Sequence, residues 1–235
     1  MPQLSPDQRA VLRDSAAVGV AVGAYGLSFG AVSVAAGLSV AQTCVLSLLA
    51  FTGASQFALV GVLGAGGSAV AGVTTALLLG TRNLLYAVRM AAVISGEQRS
   101  RSRLRRLVGA QLVIDESTAM ALARPGPALA RLAFWSTGIA VYLGWNAATL
   151  LGALGARVLG DPRDLGLDAA IPAAFLALLA PRLTTAGPRT VAVLAAIGAA
   201  LLVPFTPVGV PVLLAAALAV AVGMLTQGNL SPEPA

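Results

Sequence analysis

The stretch Ala69-Val-Ala-Gly-Val-Thr-Thr-Ala-Leu-Leu-Leu-Gly-Thr-Arg82-Asn83-Leu-Leu-Tyr86-Ala-Val-Arg89-Met-Ala-Ala-Val-Ile94 decides the fold. It is long and apolar enough to cross a bilayer as a helix, which takes about 20 residues. Yet Arg82 sits near its middle with Asn83 beside it. A charge at the centre of a membrane helix costs roughly 2.5–3.5 kcal/mol on the most lenient insertion scale, and such charges mark solute and ion pathways. The next apolar segment carries a second charged site, Asp115-Glu116.

Working outward, the rest of the chain has the same character. It is 57% hydrophobic and 10% charged, against about 25% charged for a soluble domain. Apolar runs of this length must satisfy their own backbone hydrogen bonds, which predicts an all-α polytopic membrane protein embedded in a lipid bilayer. The alternation of a β-barrel is absent. The net charge of +6 comes from arginine alone, because the chain has no lysine. Five of the arginines (Arg99, Arg101, Arg103, Arg105, Arg106) share one connecting loop, Gly96 to Arg106. That is positive-inside patterning rather than a nucleic-acid surface. The one cysteine, Cys44, lies in an apolar segment and reads as a small packed side chain.

Seven or eight membrane segments are expected. Residues 1–15 form a polar N-terminal segment, read without a signal peptide. Residues 16–227 form one transmembrane domain, and residues 228–235 a disordered tail. The spans read as Ala16–Leu38; Val40–Gly64, broken at Thr52-Gly53-Ala54-Ser55-Gln56; Ser68–Ile94; Leu107–Ala123; Leu132–Leu159; and Val208–Leu225. Ala169–Ala180 and Thr190–Val203 are each too short to cross unaided, and read as extended spans or as halves of discontinuous helices. A basic loop after three full crossings puts the N-terminus on the far side, against Arg9 and Arg13. A re-entrant second segment would remove that conflict. An internal repeat aligns Gly53–Ala65 with Gly144–Ala156, and Leu78–Arg82 with Leu178–Arg182, as inverted copies of the transporter kind.

The candidate site residues each carry two readings. Ser55 and Gln56 sit where an unwound stretch would contact a polar solute, or where small-residue packing leaves Gln56 bonding between helices. Arg82 presents a fork that grips a carboxylate, or forms a structural ion pair with Asp115 or Glu116. Tyr86 and Arg89 follow Arg82 at four and seven residues and extend its stripe, although Arg89 is close enough to the loop to snorkel. Asp115 and Glu116 are about 100° apart on a helix, so one is expected to pair with Arg82. The other would face a cavity or carry a proton; alternatively, both sit where water reaches a short span. Trp145 would lie against an apolar solute group or simply pack. The chain has no histidine, no acid-rich metal motif and no nucleotide-binding motif, and Gly64-Ala-Gly-Gly-Ser68 has no base near it. An enzyme is therefore not expected, nor any cofactor.

Together, Phe51-Thr-Gly-Ala-Ser-Gln-Phe57, Thr81-Arg-Asn-Leu-Leu-Tyr86, Ile114-Asp-Glu116 and Gly166-Leu-Asp-Ala-Ala-Ile171 with Phe175 resemble the AzlC-type family, in order and spacing from about Ala16 to Leu225. Its members are large subunits of bacterial branched-chain amino-acid exporters. The chain departs from the family pattern at Gly80, where Asp or Asn is usual, at Asn83, where His is usual, and at Ile114, where Thr is common. The resemblance implies a secondary transporter of the bacterial cytoplasmic membrane, driven by the proton gradient. It would expel leucine, isoleucine and valine, with methionine at the edge of the range, alongside a small AzlD-type membrane subunit. Arg82, Asn83, Gln56, Ser55, Tyr86 and Trp145 would bind the amino acid, and Asp115 and Glu116 would couple the ion or proton. The other reading is a scaffold or passive channel subunit for another small zwitterion.

Overall fold

The computed structural model describes residues 4–95, 103–158, 176, 179–180, 183–206 and 210–227. All regular structure among them is helical. Helix α1 (Pro6–Ala35) opens on a capping box, in which Ser5 Oγ accepts from the Gln8 amide and Gln8 Oε1 from the Ser5 amide. Most of the segment expected to be a polar leader is therefore the first turns of α1. Then follow α2 (Val40–Leu49), α3 (Ala54–Gly64), α4 (Ala69–Ser95), α5 (Arg103–Gln111), α6 (Asp115–Leu122), α7 (Pro127–Val158), α8 (Ala186–Leu202) with a 3-10 turn at Val203–Phe205, and α9 (Val210–Gln227). Four of these, α1, α4, α7 and α8 with its 3-10 turn, are long and apolar enough to cross a membrane.

The frame is the parallel pair α1 and α7. Gly19 meets Ala140, Gly23 meets Gly144, and Gly30 meets Thr149 and Ala153, a constant register along both helices. The backbones touch. A Cβ on Gly23 would stand 3.0 Å from the Gly144 carbonyl carbon, and one on Gly26 2.5 Å from the Trp145 oxygen. Cβ atoms on Gly30 and Gly152 would overlap the carbonyl oxygens of Thr149 and Leu27. Lipid supplies little apolar driving force between helices, so close packing of small residues has to hold this pair. Hydroxyls fasten one end, where Ser15 Oγ lies 2.7 Å from Ser136 Oγ and 2.9 Å from Thr137 Oγ1. At the adjacent residue of α1, Asp14 accepts from Arg124 at 2.7 Å.

Between these helices the chain enters the membrane twice without crossing it. Helix α2 starts beside the C-terminal end of α1 and runs inward until Ser47 donates to Thr149. The chain turns at Ala50–Gly53, and α3 returns until Gly64 lies against Ala36. The expected break in the second segment is present, and both halves open to the same end. Helix α4 then runs antiparallel to α3, with Gly72 on Leu59 and Gly80 facing Ser55, to reach the opposite end.

The fourth segment, expected as one helix from Leu107 to Ala123, is also broken. Helix α5 brings Gln111 up to the α2 carbonyls, Leu112–Ile114 turn, and α6 descends to Arg124 beside Asp14. Extended backbone at Ile114 and the Ser117 hydroxyl, which accepts from the Ile114 amide and donates to the Leu112 carbonyl, make the break. Half helices of 8–11 residues span about 12–17 Å at 1.5 Å per residue, roughly half of a 30 Å hydrocarbon layer. Two of the expected crossings are thus hairpins entering from opposite ends. This topology places the start of α1, the end of α4 and the start of α5 at the same end, together with Arg9, Arg13, Arg103, Arg105, Arg106, Arg124 and Arg131.

The aligned repeat pairs Gly53, a non-helical cap at φ +60°, with Gly144, which lies inside the continuous α7. That equivalence fails at its first residue. Its second half reaches Leu178, Pro181 and Arg182, which lie outside the described residues, as do Ala169–Phe175 and Gly228–Ala235.

The α1–α7 seam gives a paired prediction. Gly30→Ala should cost at least the roughly 1–3 kcal/mol typical of overpacking. Gly155→Ala, on the open side of α7 with nothing within 4 Å, should be neutral or gain up to about 1 kcal/mol of helix propensity. Thermal unfolding of the two purified variants in detergent checks this. Equal melting temperatures would refute the seam.

Candidate functional site

The two hairpin tips meet beside α1, α4 and α7 around a cavity of about 330 Å³. That is at the small end of ligand pockets. One wall is apolar: Val22 from α1, Phe51 and Phe57 from the first hairpin, Ile114 from the second, and Val141 and Trp145 from α7. Behind it, Phe29 stacks on Trp145 with ring centroids 5.9 Å apart, and Phe57 meets both rings edge-on. This aromatic block fixes the wall by packing and gives it little freedom to rearrange.

The opposite wall is polar. Arg82 Nη1 of α4 lies 2.9 Å from Asp115 Oδ2 in the first turn of α6. Both side chains are about 30% exposed, at 31% and 27%, so the pair faces the cavity it lines. Glu116 lines the same cavity and has no salt-bridge partner among the described residues. Acids in the first turn of a helix are favoured by its partial positive charge. This explains why a hairpin can carry two of them into the membrane. The tip of the first hairpin is different. Gly53 has no side chain to cap α3, and Thr52, Gly53 and Ala54 line the cavity. The first-turn amides of an uncapped helix end are a weak site for negative charge. One side of the cavity is therefore cationic, from Arg82 and the α3 end, and the other anionic, from Asp115 and Glu116.

Five of the eight expected site residues meet here: Arg82, Asn83, Trp145, Asp115 and Glu116. The other three stand elsewhere. Gln56 is 1% exposed and ties the first tip together. Its Oε1 accepts from the Gly53 amide at 3.2 Å and its Nε2 donates to the Leu46 carbonyl at 3.3 Å. Ser55 is buried between α3 and Gly80. Tyr86 packs one turn beyond Arg82, against the cluster of Met90, Ile94, Leu112, Val113, Ala121 and Phe134. Arg89 is exposed, as its position near the helix end suggested.

Tyr25 and Leu79 were missed as lining residues, as was the role of Gln111. Its Nε2 donates to the Leu48 carbonyl at 2.8 Å and the Leu49 carbonyl at 3.3 Å, joining the two hairpins. Tyr142 Oη also donates to Leu48. A glutamine in an apolar run, just before the adjacent β-branched residues Val113 and Ile114, was the available signal. Four polar atoms at this junction, Ser55 Oγ, Arg82 Nε, Asn83 Oδ1 and Asp115 Oδ1, are buried without a hydrogen-bond partner among the described residues. Each such atom costs roughly 1–3 kcal/mol.

A helical membrane protein with two opposed re-entrant hairpins and a charged cavity between them has the architecture of a membrane transport protein. The chain belongs to the AzlC family: the family model described as "AzlC protein" matches residues 17–159, more than half of the chain. The match runs from within α1 to the end of α7, takes in every hairpin residue, and ends before the Gly166–Ile171 and Phe175 part of the resemblance. No curated protein and no solved structure matches.

Gln56 gives the prediction specific to this geometry. Gln56→Ala leaves the Gly53 amide unpaired and takes from the Leu46 carbonyl its second donor, beside the Ala50 amide, and should destabilise the protein by about 1–3 kcal/mol. Gln56→Glu keeps the acceptor, loses the donor and should fall between. Chemical denaturation in detergent ranks the three proteins, and a Gln56→Ala variant as stable as the parent would remove Gln56 from the tip's support.

Proposed function

We propose that this chain is the large subunit of a proton-driven secondary transporter that exports branched-chain amino acids. The range would be leucine, isoleucine and valine, extending to methionine, with a small AzlD-type membrane subunit as partner. One observation carries the reading: a closed Arg82–Asp115 ion pair lining a cavity whose other wall is apolar. Removing one partner of such a pair strands a charge in a poorly solvated site, which is strongly destabilising. A lone cation or anion entering the cavity leaves one charge uncompensated. A zwitterion does not. Its carboxylate accepts from the Arg82 guanidinium, its ammonium donates to Asp115, and one internal pair becomes two intermolecular ones with no change in net charge.

The uncapped α3 end adds to the carboxylate side, and Asn83 stands next to Arg82 in the lining. The solute's side chain then meets Phe51, Val141 and Trp145. Those residues offer area and no charge, which suits an aliphatic group and penalises a polar one. The division of labour between the acids follows from their partners. Asp115 is held by Arg82, while Glu116 has no salt bridge among the described residues, so Glu116 is assigned the coupling proton. The cluster of arginines at the N-terminal end assigns that end to the cytoplasm, in the inner membrane of a bacterium.

Efflux from cells preloaded with a leucine-containing dipeptide tests the reading, with the chain expressed alone and with its small partner. Leucine release should rise when both are present. Arg82→Ala should cut the added release more than tenfold per molecule of protein in the membrane, because more than 1.4 kcal/mol of binding is lost. Glu116→Gln should retain leucine exchange but lose its response to an imposed proton gradient. Release indifferent to the gradient in the parent protein would point instead to a passive channel subunit. Normal release by Arg82→Ala would overturn the site.

A further inference from the structure

We infer that the hairpins α2–α3 and α5–α6 are the two gates of the cavity, one for each face of the membrane. They admit solute alternately by separating and rejoining at their tips. The inference rests on the transport reading but not on which solute is carried.

Three independent observations lead to it. First, the hairpins enter from opposite ends. The first has its open end beside Ala36 and the second beside the Asp14–Arg124 pair. Each follows a crossing helix, α1 or α4, and these two run in opposite directions. The unit of one crossing helix plus one hairpin therefore occurs twice in inverted orientation. This is an inverted repeat with boundaries different from those of the sequence alignment.

Second, the two tips use the same device. In the first, the side chain of the third helical residue, Gln56, accepts from the cap amide of Gly53 and donates back to the preceding half helix at Leu46. In the second, the third helical residue, Ser117, accepts from the cap amide of Ile114 and donates back to Leu112. Each hairpin thus satisfies its own turn, apart from what the other provides. A part whose backbone bonds are closed internally can move as a body without exposing unpaired groups to lipid.

Third, the contact between the tips is imperfect. Gln111 reaches from the second hairpin to the Leu48 and Leu49 carbonyls of the first. Arg82 reaches from α4 to Asp115, and Ser47–Thr149 and Tyr142–Leu48 bonds tie the first hairpin to α7. Around the tips lie four buried atoms, of Ser55, Arg82, Asn83 and Asp115, without a partner among the described residues. Unsatisfied groups at a contact are expected where a second arrangement is also populated.

Sided thiol labelling tests the gates and needs no solute. Cys44, the one cysteine, is replaced in Cys44→Ser. Single cysteines are then placed at the tips by Thr52→Cys and Ile114→Cys, each in the full chain in native membranes. Both tips line the one cavity, so a membrane-impermeant maleimide should reach Thr52→Cys and Ile114→Cys each from the outside of intact cells and in inside-out vesicles. Glu116→Cys replaces the second variant if Ile114→Cys is absent from the membrane.

The tips are then joined. In Cys44→Ser, the pair Leu49→Cys and Gln111→Cys should form an oxidative crosslink that lowers flux at least tenfold, with recovery on reduction. A tip labelled from one face only, or full flux through the crosslinked protein, would overturn the gates. Labelling from both faces together with absent leucine export would leave the gates standing and remove the amino-acid reading alone.

Discussion

Everything else in this molecule depends on how closely α1 and α7 approach. Glycines at 19, 23, 26 and 30 on one helix, with Gly144 and Gly152 on the other, let two backbones touch over about three turns. Side chains larger than hydrogen at these points would push the helices apart. The apolar wall of the cavity is carried on the same two helices, by Val22, Val141 and Trp145. Its aromatic backing, Phe29 against Trp145, also spans them. Separation of the frame would therefore dissolve the wall. The seam is tight because small residues are the means of bringing helices together where burial from lipid gains little.

Within that frame, helix ends set the electrostatics. Both half helices α3 and α6 begin at the cavity, so both present amide-rich, partly positive termini to it. The two ends are finished differently. Asp115 and Glu116 overcompensate the α6 terminus and make that side negative. Gly53 leaves the α3 terminus bare, and Arg82 stands with it. An interrupted helix is what allows this, since an uninterrupted one has no free amides to offer at that depth. The charged pair and the broken helices are thus two parts of one solution. The break provides a polar environment in which the arginine is tolerable, and the arginine provides a partner for the acid the break brings in.

Much of this was legible in the sequence, and what was not has definite causes. Helical spans follow from run length, and the break at Thr52–Gln56 was visible because Gly, Ser and Gln interrupt an apolar run. The second break was not, because Leu112-Val-Ile114 is as apolar as any helix and its turn is made by one serine hydroxyl. That single miss turned a hairpin into a crossing. The site was legible at its charges, Arg82, Asp115 and Glu116, since charge within a membrane segment stands out whatever the fold. It was not legible at Gln56, where the same amide chemistry serves a solute or a turn equally well; only the positions of Gly53 and Leu46 decide between them. The glycine spacing in α1 was visible, but its partner helix lies some 120 residues on, and no local pattern names it. A crossing count leaves orientation open. Two hairpins reconcile it by bringing Arg9 and Arg13 to the same end as Arg103, Arg105 and Arg106.

The frame is held chiefly by backbone contact. Ser15 pairs with Ser136 and Thr137 across α1 and α7, and Ser33 returns to its own backbone. Buried polar atoms without a partner among the described residues occur along α7, at Arg131, Trp135, Trp145 and Asn146, as well as at the tips, at Ser55, Arg82, Asn83 and Asp115. The seam's rigidity therefore comes from its close glycine contacts. A rigid seam beside a loosely closed junction is what a carrier requires. The seam preserves the wall that reads the solute's apolar part. The junction, held by one ion pair and one glutamine between hairpins that close their own turns, is the part a zwitterion has the chemistry to reopen.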